Sequence, residues 1–468
     1  MNRRNFIRTG GSAGISMFFA SSAKTFAPIP TSESTKKNMI WIFGDQLRGQ
    51  ALSYMGDPNS RTPFLNELSL EATTFTQAVS GCPWSTPFRG SLLTSKYNHQ
   101  SVYKTPQYLS RDLPLITDVF KQHGYLTAYF GKWHLFGHNS RTFVPRADRG
   151  RFDIWLGYEN NNNQYDSWIH GHDIWGRNDQ VADAEKLQKY ETDALTDRLI
   201  DFLERRPKDQ PFFAILSVQP PHDPFMAPPE YMSHFDPNAV ILRPNVPMNE
   251  EACEKYRRDL AGYYAQIENL DFNVGRVMNA LKSMNLLDST NLAFFSDHGD
   301  CHGSHGYVRK SSPWEEAIRI PCIFRPAGGK GKKRFSDAPF NHVDFAPTSL
   351  GLCGIDKPDW MSGRDFSYEI LDDRPMPDKE PESAFLQHIF RKRFDCLNRP
   401  WRGVRTRDGW KYIVLEGQPI MLFNLREDPF ELTNLVYLDQ YNDQRERLQS
   451  ILNKWINKTG DNFLMPEL

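Results

Sequence analysis

Four short apolar runs, each breaking off into a cluster of polar residues, constrain this chain more than any other feature. Met39 to Phe43 ends at Gly44-Asp45-Gln46, and Tyr125 to Phe130 ends at Gly131-Lys132-Trp133-His134. Phe212 to Val218 leads into Pro221-His222-Asp223-Pro224, and Leu292 to Phe295 ends at Ser296-Asp297-His298-Gly299. Uninterrupted apolar runs of this length read as strands buried on both faces, because a strand with one wet face alternates apolar with polar residues. Between them the pattern turns helical. Asp193 to Leu203 sets Leu195, Leu199 and Phe202 on one face behind Thr192 as a cap, and Tyr256 to Leu281 does the same with Leu260, Tyr264, Ile267 and Leu270. Strand and helix in alternation predict an α/β fold, with a large, mostly parallel or mixed central sheet sandwiched by helices. Ligands gather beyond the carboxyl ends of such strands, so four polar tips far apart in sequence are expected to converge on one site.

After about Gly351 the texture changes. Residues 375–382 are rich in Pro, Asp and Glu, and Ala384 to Phe390 and Val404 to Leu415 are strand-like with a turn at Asp408-Gly409. They predict a smaller C-terminal α+β domain carrying an antiparallel sheet. The expected organisation is a leader over 1–23, a linker over 24–37, a catalytic α/β domain over 38–355 and the smaller domain over 356–468. The 56 Lys and Arg nearly cancel the 57 Asp and Glu, so no global field draws the chain to nucleic acid or to an anionic membrane surface. Any anion it handles must be gripped locally. Cys82, Cys253, Cys301, Cys322, Cys353 and Cys396 are scattered without metal-ligand spacing and read as buried thiols.

Asn2 to Arg8 reads N-R-R-N-F-I-R, followed by a weakly apolar stretch and the small residues Ser21, Ser22 and Ala23. This resembles a twin-arginine export signal, with Ile7 and Arg8 where Leu and Lys usually stand. The apolar stretch is shorter than the roughly 18 residues a membrane span needs, so no permanent anchor is expected. The resemblance implies the twin-arginine export machinery as a partner and a periplasmic or secreted location. Loss of residues 1–23, which hold three arginines and no acid, would leave the remainder mildly acidic.

Ser85-Thr86-Pro87-Phe88-Arg89, followed by Leu93-Thr94, fits an S-x-P-x-R signature. It resembles that of type I sulfatases, members of the alkaline phosphatase superfamily in which a Ser or Cys is oxidised to formylglycine (3-oxoalanine). Cys82 does not compete, because Trp84 and Thr86 stand where Pro and Arg would be needed. The likeness extends along the chain. Gly44-Asp45-Gln46 resembles the family's first metal motif, Gly131 to Leu135 its G-K-W-H-L motif, Pro221 to Pro224 its P-H-x-P motif and Ser296 to Gly299 its second metal motif. Lys310 through Trp314-Glu315-Glu316 to Pro321 resembles a further block, with Trp314 in place of Tyr, and Asp428 to Leu435 the C-terminal D-P-x-E-x-x-N-L element. An isolated Asp at a strand end is usually only a cap or turn former; it is the joint occurrence, in the family's order, that points to chemistry.

The resemblance implies hydrolysis of sulfate monoesters. A serine attacking sulfur would be left as a sulfate ester as inert as the substrate. An aldehyde hydrate avoids this, because one hydroxyl attacks and the other expels sulfate as the carbonyl returns. The family's roles then fall on Ser85 as the modified nucleophile, Arg89 and Lys132 as its stabilising cations, and His134 as the base for sulfate release. His222 and Lys310 would bind the sulfate and its bridging oxygen, with His222 as the acid for the leaving alcohol. Asp45, Gln46, Asp297 and His298, with residue 85 itself, form the expected metal site. Hard oxygen donors suit one Ca²⁺ ion, with Mg²⁺ the lesser choice, although imidazole is an unusual calcium ligand. A radical maturation enzyme is implied for a serine-type site.

Trp155, Tyr158, Tyr165, Trp168 and Trp175, with His170 and His172, crowd the segment after Leu135 and suggest a carbohydrate wall, hence a sulfated glycan as substrate. Two other readings stand beside this one. Unmodified Ser85 would suit a phosphomonoester or phosphonate hydrolase of the same superfamily, and a Ser85 that is never oxidised would leave a catalytically silent protein that binds sulfated glycans.

Overall fold

A computed structural model describes residues 36–137, 141–177, 179, 184–390, 397 and 399–467. The twin-arginine segment, most of the linker and Cys396 lie outside the described residues. Residues 36–468 form a single compact unit built around two sheets.

The larger sheet has ten strands: β1 (Asn38–Gly44), β2 (Thr73–Phe75), β3 (Leu126–Lys132), β4 (Ile154–Tyr158), β5 (Trp168–His172), β6 (Glu185–Lys186), β7 (Phe212–Ser217), β8 (Thr290–Ser296), β9 (Cys322–Arg325) and β10 (Phe335–Ser336). Their order is β10-β2-β9-β8-β1-β7-β3-β4-β5-β6. The middle five, β8-β1-β7-β3-β4, run parallel, while β9 and β5 turn the sheet antiparallel on either side. Each of the four apolar runs is one of these parallel strands. Along them the side chains alternate between two buried layers. Met39, Trp41, Phe43, Phe213, Ile215 and Phe295 face one core, and Ile40, Ile42, Ala214, Leu216, Leu292 and Phe294 face the other.

Helices cover both faces. Ser85–Thr94, Ile116–Gln122 and Phe345–Leu352 bring Phe88, Phe120 and Phe345 to the first core. Glu191–Arg205 and Glu250–Ser283 bring Leu195, Leu199, Ile267 and Leu270 to the second. The shorter of these two starts earlier than the sequence suggests, with Tyr190 at the cap position and Thr192 inside its first turn. The longer one also starts earlier, where the Asn249 side chain accepts from the Ala252 amide. Cys82, Cys253, Cys301 and Cys322 are buried free thiols, and Cys353 is half-buried.

The second sheet is an antiparallel meander of β11 (Ser383–His388), β12 (Trp401–Thr406), β13 (Trp410–Leu415) and β14 (Gln418–Asn424). One face packs on the Asn442–Thr459 helix through Phe385, Val404, Tyr412, Leu448 and Leu452. The other brings Leu386, Trp401, Ile413 and Phe423 against Val79 and Ile318 beside the large sheet. Buried charge joins the two sheets. Arg405 Nε lies 3.3 Å from Glu315 Oε1, and Lys411 Nζ 3.5 Å from the same oxygen. Burial works to raise the Glu315 carboxyl, but Arg405 and Lys411 outweigh it and hold it at about 2.

Because that value lies below the unfolded one, the stabilisation is present above the ordinary glutamate range and fades as pH falls toward 2. Glu315→Gln is therefore expected to cost about 3 kcal/mol at pH 7, as for other buried pairs that lose one partner. The gap from wild type should narrow below pH 4, as read by urea denaturation at the two pH values.

Candidate active site

The parallel register sets the five central strand ends level with one another. Gly44 pairs with Ser296, Gly131 with Ser217, and Lys132 with Tyr158, so the residues that follow emerge along one edge. Gly131 is required by both conformation and space: its φ is +106°, and a Cβ there would lie 2.0 Å from the Ser217 carbonyl oxygen. Gln46 (φ 74°) and His134 (φ 55°) take left-handed backbone conformations that cost non-glycine residues energy and recur at functional sites.

Asp45 is at the centre, without solvent exposure. Its Oδ2 accepts from Lys132 Nζ at 2.6 Å and from Arg89 Nη2 at 3.3 Å, and its Oδ1 lies 3.9 Å from Lys310 Nζ. Ser85, the first residue of the Ser85–Thr94 helix, places its Oγ 3.3 Å from Asp45 Oδ1 and 2.9 Å from His298 Nε2. Asp297 Oδ2 stands 3.6 Å from Arg89 Nη2, and Asp297 Oδ1 accepts from the Gln46 amide at 3.0 Å. The Gln46 side chain gives Oε1 to Lys310 Nζ at 3.0 Å and Nε2 to Asp300 at 2.7 Å.

The two central acids are driven apart. Burial raises the Asp45 carboxyl, but Lys132 and Lys310 outweigh it and hold Asp45 well below the usual range. Burial together with the nearby Asp45 charge pushes Asp297 up to about 7. Two carboxylates this close resist joint ionisation unless a cation joins them. Asp45, Asp297 and His298 bring their ligand atoms within 4.8 Å of one another, and Asp297 Oδ2 makes no hydrogen bond. His298 Nδ1 donates to the Gly299 carbonyl at 2.9 Å, which leaves Nε2 as a lone-pair donor aimed at the same point. The donor set therefore fits a divalent cation, with Gln46 Oε1 at its edge.

The remaining two candidates lie at the rim and join the cluster through charge. Burial, then Lys132 and Arg89, lowers the His134 imidazole well below its ordinary value, and its Nδ1 has no hydrogen-bond partner among the described residues. Burial and Lys310 hold His222 at about 4, and its Nδ1 donates to the Asp223 carbonyl at 2.8 Å. Among the described residues, neither imidazole hydrogen-bonds to Ser85.

Three supporting residues escaped the sequence reading. Ser217 Oγ accepts from Arg89 Nη1 at 2.7 Å and donates to the Lys132 carbonyl at 2.9 Å, so it fixes the guanidinium. Asp300 and Asp223 both accept from Gln46 Nε2. Asp223 sits within a polar tip already noted and Asp300 directly follows another, which is the signal that would have found them. Ser217 ends an apolar strand and gives no such signal. The aromatic segment divides, with Tyr158, Trp168 and His170 lining a cavity of about 310 Å³ and Trp155 and His172 packed inside. Trp155, Tyr158, His170 and His172 are buried. Tyr158 donates to Glu191, and His172 bonds Arg149 and the Phe152 carbonyl, as packing groups do. Trp175 is partly buried, with Arg205 over its ring at 4.3 Å. Tyr165 and Trp168 remain exposed.

A level row of parallel strand ends, with a buried serine, three cations and an acid cluster that fits a divalent cation gathered at it, suits a hydrolase for small anionic esters. The sulfatase family model matches residues 37–355, and the model of the N-sulphoglucosamine sulphohydrolase C-terminal region matches 303–458. The chain belongs to the sulfatase family and is a sulfuric ester hydrolase. It is 35% identical over 442 residues to an ulvan-active sulfatase of Formosa agariphila, covering 92% of this chain and 83% of that one. A solved structure from work on glycosaminoglycan metabolism by Bacteroides thetaiotaomicron matches with a TM-score of 0.81 at 24% identity, over 91% of this chain and 97% of that one. The fold is shared more widely: a phosphonate monoester hydrolase of Agrobacterium radiobacter matches with a TM-score of 0.73 at 19% identity, covering 91% of this chain and 96% of that one.

Asp297→Asn is expected to weaken divalent-cation binding by more than roughly 100-fold, beyond what loss of a residue merely supporting a ligand costs. Calcium added to chelator-treated protein should raise Tm by several degrees in the wild type and leave the variant unmoved.

Proposed function

We propose that this chain removes sulfate from a sulfated carbohydrate, with Ser85 carried as formylglycine and one Ca²⁺ ion held by Asp45, Gln46, Asp297, His298 and residue 85. The observation that carries the reading is the buried Ser85 hydroxyl set between Asp45 and His298, with Arg89, Lys132 and Lys310 gathered around Asp45. The carbohydrate class rests on the ulvan-active relative and on the match to the N-sulphoglucosamine sulphohydrolase model. When bound, the cation would neutralise sulfate oxygens and fix the orientation of residue 85. Hydrated formylglycine supplies two hydroxyls on one carbon, one to displace the alcohol and one to release sulfate.

The chain's own residues do the rest. Arg89, locked by Ser217 and Asp45, and Lys132 lower the cost of negative charge on residue 85. The helix N-terminus at Ser85 acts in the same sense. His134, neutral and with an Nδ1 that has no partner among the described residues, takes the hydroxyl proton during sulfate release. His222 keeps its Nε2 for the ester oxygen because Nδ1 is occupied by Asp223. Burial and Lys310 keep its ring neutral near pH 7, so the negative charge of the substrate is what draws a proton onto it. Lys310 holds a sulfate oxygen.

A twin-arginine leader over residues 1–23, a radical maturation enzyme that oxidises Ser85, and a periplasmic or secreted location complete the proposal. Among the described residues no helix is long and apolar enough to cross a membrane.

Peptide mass spectrometry across Ser85 in protein from its native host, beside a sulfate-release assay, checks the nucleophile. An aldehyde with sulfate release is expected; unmodified serine with full activity would sink the mechanism. Ser85→Ala should lose turnover and retain glycan binding. His222→Ala should lower kcat by about 100-fold or more on a saccharide sulfate, within the range for general acid help. The loss should be much smaller on 4-nitrophenyl sulfate, whose leaving group needs no proton; equal losses on both would remove His222 from that role.

A further inference from the structure

A cavity of about 540 Å³ opens beside the sulfate site and takes no part in the chemistry described above. Its walls continue the polar strand tips. Asp223 follows His222, Asp300 and His302 follow His298, and Arg309 precedes Lys310, while Lys255, Tyr256 and Asp259 come from the Glu250–Ser283 helix. Gln46 forms the partition, since its Nε2 bonds Asp223 and Asp300 on the cavity side and its Oε1 bonds Lys310 on the sulfate side. A group leaving from an ester oxygen at His222 therefore has this cavity next to it.

The wall chemistry is paired. Arg309 Nη2 lies 3.2 Å from Asp223 Oδ2, and Lys255 donates to Asp259 one helical turn away. Asp300 turns inward, its Oδ1 accepting from the His302 and Arg309 amides. Each ion pair sets a strong donor beside a strong acceptor, and the two pairs carry no net charge between them. Such a wall does not select a second anion, whereas vicinal hydroxyls both donate and accept and match it. Two aromatic side chains add apolar surface. Tyr256 packs against Gly303, where a Cβ would come within 2.4 Å of the ring, and Phe225 is braced by Tyr263 and His302.

We propose that this cavity is the saccharide subsite, holding the neutral, hydroxyl-bearing sugar ring that carries the sulfate ester. Tyr256 and the Lys255–Asp259 pair act there as specificity-determining residues. The inference rests on the sulfatase reading above and names where the leaving group sits.

The test is a KM-against-kcat split on Tyr256→Ala and Lys255→Met, assayed on sulfated ulvan oligosaccharides, sulfated glucosamine and 4-nitrophenyl sulfate. The expected result is a KM for the hydrolysed saccharide about tenfold higher in each variant, with kcat/KM on 4-nitrophenyl sulfate within twofold of wild type in Lys255→Met, because the nitrophenyl ring lacks the hydroxyls that Lys255 and Asp259 would bind. Unchanged saccharide KM, or equal losses on both substrate classes in Lys255→Met, would overturn the subsite. So would a loss confined to substrates bearing a uronic carboxylate and absent after carboxyl reduction, which would make the cavity an anion site. Turnover of 4-nitrophenyl sulfate with none of any saccharide would overturn the subsite and leave the sulfatase standing. No turnover of either class by protein with oxidised Ser85 would overturn both.

Discussion

Everything at the site depends on keeping the Asp45 carboxylate ionised without solvent. Taking such a charge out of water costs several kcal/mol, and the cost is met only if opposite charges arrive at short range with good geometry. Three do: Lys132 from the end of β3, Arg89 from the helix that begins at Ser85, and Lys310 from the loop beyond β8. They are far apart in sequence. What lets them meet is the parallel register of β8, β1, β7 and β3, which sets their carboxyl ends level. A slip of one residue in any of these strands would exchange the two buried layers and turn its polar tip away from the site.

The same arrangement explains how a chain of formal charge −1 handles an anion. Arg89, Lys132 and Lys310 face Asp45 and a second acid, Asp297, that is pushed up to about 7 by burial and by Asp45 itself. On the reading proposed above, the cluster is short of negative charge where sulfate would bind, and a divalent cation held by Asp45, Asp297 and His298 would deepen that shortage. The anion is gripped by local geometry over a few ångströms, a range at which solvent screening is weak.

Much of this was legible in the sequence because buried parallel strands announce themselves by composition, and their polar tips by abrupt change. Asp45, Lys132, Asp297 and His298 stand at such tips, while Ser85, Arg89 and Lys310 are legible through the S-x-P-x-R signature and the Lys310 block that resemble the family's; all seven meet. The reading failed where the same signal was passed over. Ile154 to Tyr158 is also an apolar run, and it forms the fifth parallel strand, flanked by β3 and β5. That is why Trp155 is a core residue, while Tyr158, at the end of the same strand, reaches a cavity it shares with Trp168 and His170. Ser217 was invisible for a different reason: a small polar residue at a strand end acquires meaning only when a guanidinium from a distant helix is found against it. The cavity behind Gln46 was likewise unreadable, since its walls come from four separate segments that no local pattern connects.

The second sheet is part of this arrangement and not an appendage to it. The indole of Trp401, on β12, donates to the Ser311 carbonyl at 3.3 Å, and the Ser311 amide donates to the Pro83 carbonyl at 3.0 Å. Ser311 adjoins Lys310, and Pro83 stands two residues before Ser85. The amide of Gln387, on β11, donates to the Gly81 carbonyl at 2.7 Å, which fixes the approach to the same helix. Further along, the Glu315 amide donates to Glu431, whose carboxylate also contacts Lys411 of β13. The sequence blocks around Glu315 and Glu431 thus hold the loop that delivers Lys310. Charge buried between two sheets tolerates little displacement, because each partner left alone becomes an unpaired ion in a dry interior. The position of Lys310 beside Asp45 is therefore set as much by the C-terminal sheet as by the strand from which its loop departs.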